Sequence, residues 1–237
     1  MSRPKVRHKQ PESSVWPHAQ DLSMPRSILM NSKKVYLFVF NTLADWEYGH
    51  AVAGINNPQF QKNASRYKVV TVGATTDPII SAGGIRITPD ESIDQVAPAD
   101  SAMLILPGGA SWDGGENGDA AELAAQFLSH NIPVAAICGA TAGLARAGSL
   151  DKRKHTSNAL DYLAATGYKG AKHYVDAPAV RSGNLITASA MSPVDFAKEI
   201  FSSLGIYDDD VLNAWYGLFK TGDGKYFQQL MKAGGAE

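Results

Sequence analysis

Apolar runs and segments of helical periodicity alternate along most of the chain. Continuous apolar runs of roughly four to eight residues are typical of strands that are covered on both faces. They predict strands at residues 35–40, 67–73, 103–106, 134–137 and 184–189. Apolar residues that recur every three or four positions predict helices between these strands. The helices are expected from Asp45 to beyond Ile55, at residues 120–128, 140–147 and 158–167, and from Ser192 to Gly205.

This alternation predicts an α/β fold, with a mostly parallel central sheet and helices on both faces. The segment 79–88 differs, because Gly83 and Gly84 divide two short β runs in the manner of a hairpin. We expect this hairpin at an edge of the sheet. Ligands of parallel sheets bind at the carboxyl ends of the strands, and Cys138 directly follows the strand at 134–137.

The chain divides into three segments. Residues 1–32 begin with a cluster of basic side chains and contain no continuous apolar run, so they predict a flexible arm rather than a secretory signal. Residues 33–205 carry the alternating pattern and predict one α/β domain. Residues 206–237 contain two further amphipathic helices, around Trp215 and Leu230, which we expect to pack on the same domain or to form a subunit contact.

Net charge and cysteine count limit the partners and the compartment. The 237 residues carry a formal net charge of -1, which produces no field that would attract nucleic acid or an acidic membrane. The apolar runs are far shorter than the roughly 20 residues needed to cross a bilayer. A single cysteine excludes an internal disulfide and is typical of a reducing compartment. We therefore expect a cytoplasmic protein that acts on a small molecule.

Cys138 is the first candidate for chemistry. It lies between a buried strand and a helix, and the small residues Gly139 and Ala140 follow it, as a sharp nucleophile elbow requires. A thiol at a helix N-terminus faces the positive end of the helix dipole and free N–H groups, which favour the thiolate. The alternative is a core cysteine that acts as a small hydrophobe. The elbow context favours a reactive thiolate.

A pair of glycines follows the neighbouring strand. Gly108 and Gly109 end the sequence LILPGG, and their bare backbone could approach a substrate. The N–H groups of Gly109 and Gly139 are therefore candidate donors to an oxyanion that develops near Cys138. The alternative for such a pair is an ordinary turn.

The sequence resembles the ThiJ/PfpI superfamily, which includes the parkinsonism-associated deglycase and chaperone. The similarity extends from about Lys34 to Gly205 and rests on LADWE, LILPGG, AICGATAGLARAG, RKHTSN and GNLITAS. It implies a flavodoxin-like three-layer sandwich that forms a homodimer or higher homo-oligomer. It also implies that Cys138 is the nucleophile and that Glu47 hydrogen-bonds to its sulfur.

Glu47 would then occupy an unusual environment. A carboxyl beside a thiolate is pushed towards its protonated form, because adjacent negative charges disfavour each other and burial adds to the effect. Such a carboxyl can move protons to and from the sulfur. The alternative is a solvated acid in the first turn of a helix, where the helix dipole favours it.

Two further residues are candidates for supporting roles. His155, in RKHTSN, is a general base for Cys138 if its ring reaches the thiol. Asn158 occupies the place where several members of the superfamily carry histidine, so a clean Cys–His pair is not expected. Members of the peptidase-like branch carry histidine directly after the cysteine, where this chain has Gly139. This difference weakens a protease interpretation.

The sequence indicates neither a metal site nor a cofactor. The histidines at positions 50, 130 and 173 lack ligand spacing such as H-x-x-x-H. The glycine pairs match neither a dinucleotide-binding motif nor a phosphate-binding loop. We therefore expect chemistry that depends on side chains and backbone alone.

Three functions remain open. In the first, Cys138 attacks a small carbonyl or amide substrate, as in glyoxalase or deglycase chemistry. In the second, the protein is a redox or stress sensor, or a chaperone-like protein, whose Cys138 is oxidised to a sulfinic acid. The third, a glutamine amidotransferase-like or peptidase-like hydrolase, ranks last because residues 189–193 lack the histidine that an amidotransferase needs near its last strand.

Overall fold

The structure, a computed structural model, describes residues 32–235. The arm expected at residues 1–32 therefore lies outside the described residues, except for Ser32. A central sheet of seven strands has the order β5-β2-β1-β6-β7-β9-β8. All neighbouring strands are parallel except β8, which runs antiparallel to β9. The predicted α/β sandwich is confirmed.

The strands are short and the sheet is mostly buried. Their bounds are β1 Lys33–Phe38, β2 Tyr67–Gly73, β3 Ile79–Ile80, β4 Arg86–Ile87, β5 Glu91–Ser92, β6 Ser101–Leu106, β7 Val134–Ile137, β8 Ala179–Ser182 and β9 Leu185–Ala188. The continuous apolar runs form the central strands, as buried parallel strands require. The short strands β5 and β8, which form the two edges, carry no such pattern and are not predicted from the sequence.

The helices divide between the two faces of the sheet. Their bounds are α1 Asp45–Asn56, α2 Ala110–Asp113, α3 Gly118–Ser129, α4 Gly139–Arg146, α5 Leu160–Ala164, α6 Pro193–Leu204, α7 Asp209–Thr221 and α8 Gly224–Ala233. Helices α1 and α6 pack together and contact strands β2, β7 and β9, whereas α3 and α4 pack together and contact β6 and β7. The core therefore lies in two layers, with the sheet between them.

The hairpin prediction needs a correction. Strands β3 and β4 form a separate two-stranded sheet and not an edge of the central one. The hairpin bonds instead to the loop before α1, where Thr42 N donates to the Ile80 carbonyl at 2.9 Å and Gly83 N donates to Asp45 Oδ2 at 2.6 Å. These contacts hold the hairpin at the start of α1 instead of at an edge of the central sheet.

The two C-terminal helices pack on the preceding helix. Helix α7 contacts α6 and α8. Asp195 of α6, only 8% exposed, accepts hydrogen bonds from Tyr216 Oη at 2.8 Å and from Lys220 Nζ at 2.7 Å. The buried Asp195 carboxyl and its two donors therefore join α7 to α6.

A membrane-spanning helix is not found in residues 32–235, since every helix there is too short or too polar to cross a bilayer.

Candidate active site

Cys138 occupies a strained turn between β7 and α4. Its φ is 56° and its ψ is -125°, a region that non-glycine residues adopt at a cost. The turn is held on both sides, because Cys138 N donates to the Ala188 carbonyl at 3.0 Å and the Cys138 carbonyl accepts from Thr141 N at 3.0 Å and Thr141 Oγ1 at 2.6 Å. The residue is partly exposed. This geometry presents the sulfur at the carboxyl edge of the sheet.

Two donors contact the sulfur from the protein. The Asn158 side-chain amide donates to Cys138 Sγ at 3.4 Å, and the backbone N–H of Gly139 also hydrogen-bonds to the thiol. Ala190 N donates to Asn158 Oδ1 at 2.9 Å, which determines the direction of the amide. Asn158 is thus a preoriented donor to Cys138.

Glu47 approaches Cys138 from α1. Its side chain is buried, with 1% of the residue exposed, and its Oε2 accepts the Gly108 N–H at 2.5 Å. The carboxyl also interacts with the Cys138 thiol, and its buried Oε1 has no hydrogen-bond partner within residues 32–235. Burial raises the pKa of Glu47 to about 7, although the bonds from Gly108 and Cys138 act in the opposite direction. The solvated first-turn acid considered from the sequence is therefore wrong.

The same contacts act on the thiol. Burial, followed by the negative charge of Glu47, raises the pKa of Cys138 to about 11, although the donors Asn158 and Gly139 act to lower it. Desolvation and the negative charge of Glu47 therefore oppose the thiolate expected at the helix start. The thiol lies beside a carboxyl whose own pKa burial raises to about 7.

Gly108 permits the close approach of Glu47 and Cys138. A Cβ at this position would lie 2.6 Å from Cys138 Cβ and 2.8 Å from Glu47 Oε2, and real Cβ atoms do not come so close. A Cβ on Gly109 would lie 2.6 Å from the Thr42 carbonyl oxygen. The two glycines therefore allow α1 and the start of α4 to meet.

Comparison with known proteins agrees with this geometry. A family model described as the DJ-1/PfpI family matches residues 33–203. The chain belongs to the DJ-1/PfpI family. The match covers the sheet, Cys138 and Glu47, and it ends within α6, before α7 and α8.

Individual relatives extend this result. "Uncharacterized protease YoaZ" of Bacillus subtilis is 42% identical over 205 residues, which are 85% of this chain and 98% of that protein. The crystal structure of a thiJ/pfpI family protein from Bacillus anthracis is 44% identical and has a TM-score of 0.81, covering 85% of this chain and 97% of the other. A DJ-1 superfamily protein from Agrobacterium tumefaciens is 33% identical with a TM-score of 0.72, covering 80% and 98%.

His155 does not join the site of this DJ-1/PfpI protein. The residue is fully buried; its Nδ1 lies 2.7 Å from the Arg153 carbonyl and its Nε2 lies 3.2 Å from Tyr168 Oη. Both ring nitrogens therefore have partners away from Cys138. The general-base role considered for His155 is wrong, because sequence proximity to the elbow helix does not bring the ring to the thiol.

Asn158, with which the helix expected at residues 158–167 was to begin, lies before the helix and has a different role. Helix α5 begins at Leu160 with Ala159 at its N-cap, and the Asn158 side chain bonds to Cys138 and Ala190 instead. An asparagine side chain can bond either to the backbone at the start of a nearby helix or to a group distant in the sequence. The Asn158 side chain forms the distant bonds.

Two residues on the segments that flank Cys138 were missed from the sequence. Tyr162 Oη donates to Asp113 Oδ1 at 2.6 Å, and a negative charge on Cys138 contributes to raising the pKa of Tyr162. Asp113 ends α2, which is too short to produce a helical pattern. Tyr162 lies in the helix expected at residues 158–167, but no sequence pattern connects it to Asp113.

A second feature lies apart from Cys138. A cavity of about 380 Å³ is located between α1, α7 and α8, and His50, Phe60, Trp215 and Phe227 are among its mainly apolar lining residues. Large apolar cavities are common ligand sites, but this one does not include Cys138 or Glu47. We assign the candidate chemistry to the elbow, where a thiol and a carboxyl meet.

Within residues 32–235 no cluster of three or more His, Cys, Asp or Glu could hold a metal ion.

Proposed function

We propose that this protein is a cysteine-dependent enzyme that acts on small reactive carbonyl compounds, with Cys138 as the nucleophile and Glu47 as the group that moves protons. The direct contact of a partly exposed thiol with a buried carboxyl of pKa about 7 carries the proposal. A base of this pKa is matched to proton transfer at neutral pH.

The resting thiol is activated by its neighbour. Near neutral pH a substantial share of Glu47 is ionised, since its pKa is about 7, and the carboxylate can accept the proton of Cys138 as the sulfur attacks. This arrangement of nucleophile and adjacent base replaces the free thiolate expected from the sequence. The bond from Asn158 stabilises negative charge on the sulfur during attack.

An α-oxoaldehyde suits these groups. The sulfur electron pair forms a C–S bond to the aldehyde carbon, the carbonyl π electrons move to oxygen, and that oxygen takes the proton from Glu47. Glu47 then removes the proton from this carbon and returns it to the adjacent ketone carbon, while the hydroxyl proton moves to the oxygen of the former ketone. The product is a thioester of a 2-hydroxy acid. Water cleaves the thioester and restores the thiol. The net reaction adds one water and needs no external oxidant.

Backbone donors can support the charged oxygen. Gly108 N–H donates to Glu47, so Gly109 N–H is a proposed donor, together with Gly139 N–H, which would turn from the sulfur to the oxygen once the C–S bond forms. Gly109 N would lie 3.3 Å from a Cβ placed on Gly139, so the two backbones are adjacent at the elbow. Preorganised N–H groups of this kind stabilise developing negative charge.

Peptide hydrolysis receives less support, although curated relatives are named proteases. A cysteine peptidase uses a histidine base. In the described part of the chain the groups bonded to Cys138 are Glu47, Asn158 and Gly139, and the His155 ring bonds elsewhere. Carbonyl addition, which a carboxyl base can assist, fits these residues better.

Oxidation of Cys138 is a second candidate function. Asn158, Gly139 and the Glu47 carboxyl surround the sulfur, and all three can donate to sulfinate oxygens when Glu47 is protonated. Two molecules of peroxide would each supply one oxygen and leave as water. Mass spectrometry after mild peroxide treatment tests this role, because an unmodified thiol would exclude it.

Turnover of methylglyoxal tests the first proposal. We expect the parent to convert it to lactate, Cys138→Ser to be inactive, and Glu47→Gln to be about 10²–10⁴-fold slower. The variant Asp119→Asn, altered at an exposed acid in the first turn of α3, is the control and should match the parent. Equal rates for Cys138→Ser and the parent would overturn the proposal.

The expected homo-oligomer and cytoplasmic location remain predictions. Light scattering of the purified protein measures the oligomeric state, and cell fractionation measures the location. A monomer at all concentrations would contradict the first of these expectations.

A further inference from the structure

One hydrogen bond joins the two segments that flank Cys138. Tyr162 Oη, on α5, donates to Asp113 Oδ1, at the end of α2, at 2.6 Å. Helix α2 directly follows the Gly108–Gly109 turn, and α5 begins two residues after Asn158, the donor to the sulfur. The bond therefore connects the segment with the proposed oxyanion donor to the segment with the sulfur donor.

Helix α2 is held close to the elbow. A Cβ on Gly139 would lie 3.1 Å from Trp112 Cβ, so α2 packs on the first residue of α4. Arg146, at the other end of α4, donates to the Trp112 carbonyl at 2.6 Å and to the Asp113 carbonyl at 3.2 Å. Asp113 thus has a fixed backbone, and its side chain is available to α5.

Tyr162 lies within electrostatic reach of the sulfur. Its pKa is raised by burial, by the hydrogen bond to Asp113 and, more weakly, by negative charge on Cys138. A phenol has a single proton to donate, and here Asp113 accepts it. The ring is consequently held between α2 and α5 by a bond to a carboxylate, the stronger kind of hydrogen bond.

We propose that Tyr162 and Asp113 form a clasp that joins the two segments flanking Cys138, limits access to the thiol and so selects carbonyl compounds by size. The clasp admits compact α-oxoaldehydes and restricts those with bulky substituents. This substrate preference rests on the proposed function, whereas the restricted access concerns the thiol itself. The two can therefore be tested separately.

Access to the thiol is measurable because Cys138 is the only cysteine of the chain. Alkylation rates with iodoacetamide, which is small, and with fluorescein maleimide, which is bulky, are compared in the parent, Tyr162→Phe and Asp113→Ala. We expect both variants to raise the ratio of the maleimide rate to the iodoacetamide rate by about tenfold. The loss of one charge-assisted hydrogen bond corresponds to a change of this size. The ratio cancels changes in the reactivity of the thiol.

Tyr216→Phe is the matched control. It also removes a tyrosine hydroxyl that donates to an aspartate, Asp195 at 2.8 Å, but it lies on α7. We expect its rate ratio to equal that of the parent. An unchanged ratio in Tyr162→Phe and Asp113→Ala, or an equal rise in both reagent rates, would overturn the clasp.

Turnover separates the clasp from the proposed function. With methylglyoxal and phenylglyoxal as substrates, Tyr162→Phe should lower KM for phenylglyoxal relative to methylglyoxal. If the parent turns over neither compound, the proposed function fails, and the alkylation ratios still decide whether the clasp exists. If the parent turns over both compounds and the ratio of their KM values is the same in Tyr162→Phe, size selection is wrong, whereas the proposed function stands.

Discussion

The Glu47 carboxyl contacts the Cys138 thiol at the carboxyl edge of the sheet, and burial raises the pKa of both groups. The negative charge of Glu47 raises the pKa of Cys138 further. The two side chains therefore compete for protons instead of forming a stable thiolate and a neutral acid. This relationship makes the pair sensitive to the replacement of either member.

The substitution Glu47→Gln should lower the pKa of Cys138. It removes the charge that opposes ionisation of the sulfur, and the glutamine amide can donate to a thiolate. The pH dependence of iodoacetamide alkylation, or of thiolate absorbance in the ultraviolet, measures the change. Asp119→Asn should leave the pKa of Cys138 unaltered, and a higher or unchanged value in Glu47→Gln would count against the pairing.

Stability should fall as the pH rises through the titration range of Glu47. Its pKa is 4.5 in the reference state and about 7 in the fold, so the folded protein keeps a proton that the unfolded chain has lost. The contribution is complete below about pH 4.5 and is lost as the pH rises to about 7, a difference of about 3 kcal/mol. Urea unfolding of the parent and Glu47→Gln across this range measures it.

The direction in which the stability difference between the parent and Glu47→Gln changes with pH tests this prediction. Glu47→Gln lacks the ionisable group, so it should become progressively more stable than the parent between about pH 4.5 and about pH 7. A constant difference between the two proteins over this range would show that the carboxyl does not retain its proton in the fold.

Gly108→Ala should destabilise the fold and separate the pair. Its Cβ would meet Cys138 Cβ at 2.6 Å and Glu47 Oε2 at 2.8 Å, and overpacking of this kind costs about 1–3 kcal/mol. Chemical denaturation measures the loss in free energy of unfolding. Gly49→Ala is the control, because a Cβ there has nothing within 4 Å and lies within α1; it should be neutral or stabilising by up to about 1 kcal/mol.

Asp195→Ala should loosen the attachment of α7. The substitution removes the acceptor of two hydrogen bonds, from Tyr216 and Lys220, and we expect a loss of about 1–3 kcal/mol in the free energy of unfolding. Asp208→Ala provides a comparison, since Asp208 forms an exposed pair with Lys62 at 2.9 Å and should cost no more than about 1 kcal/mol. Equal losses in the two variants would argue against a special role for Asp195.

The central strands could be predicted because their pattern is local. The runs at 67–73 and 134–137 coincide with β2 and β7, since strands buried on both faces need continuous apolar sequence. The first strand spans Lys33–Phe38 instead of 35–40, although Val39 and Phe40 are also buried. The buried segment thus extends beyond the last residue of the strand. An apolar run indicates which residues are buried, but it does not show where the pairing of strands ends.

Other features depended on partners far away in the chain. Trp112 is fully buried beside Phe38 and Phe40, and its Nε1 donates to the Pro107 carbonyl at 2.9 Å. The hairpin at 79–88 lies against the start of α1 because its backbone finds partners there. Neither outcome follows from periodicity, which carries no information about which surfaces meet.

The sequence by itself determined that Cys138 ends a buried strand and begins a helix, because small residues and apolar runs encode that turn locally. Tertiary structure alone decided the chemistry of the thiol. Packing brings Glu47 and Asn158 to the sulfur, places the His155 ring against other partners and buries the Glu47 carboxyl. Because a pKa depends on the distances and solvation of groups from separate segments, the protonation of Cys138 could not be obtained from its neighbours in the chain.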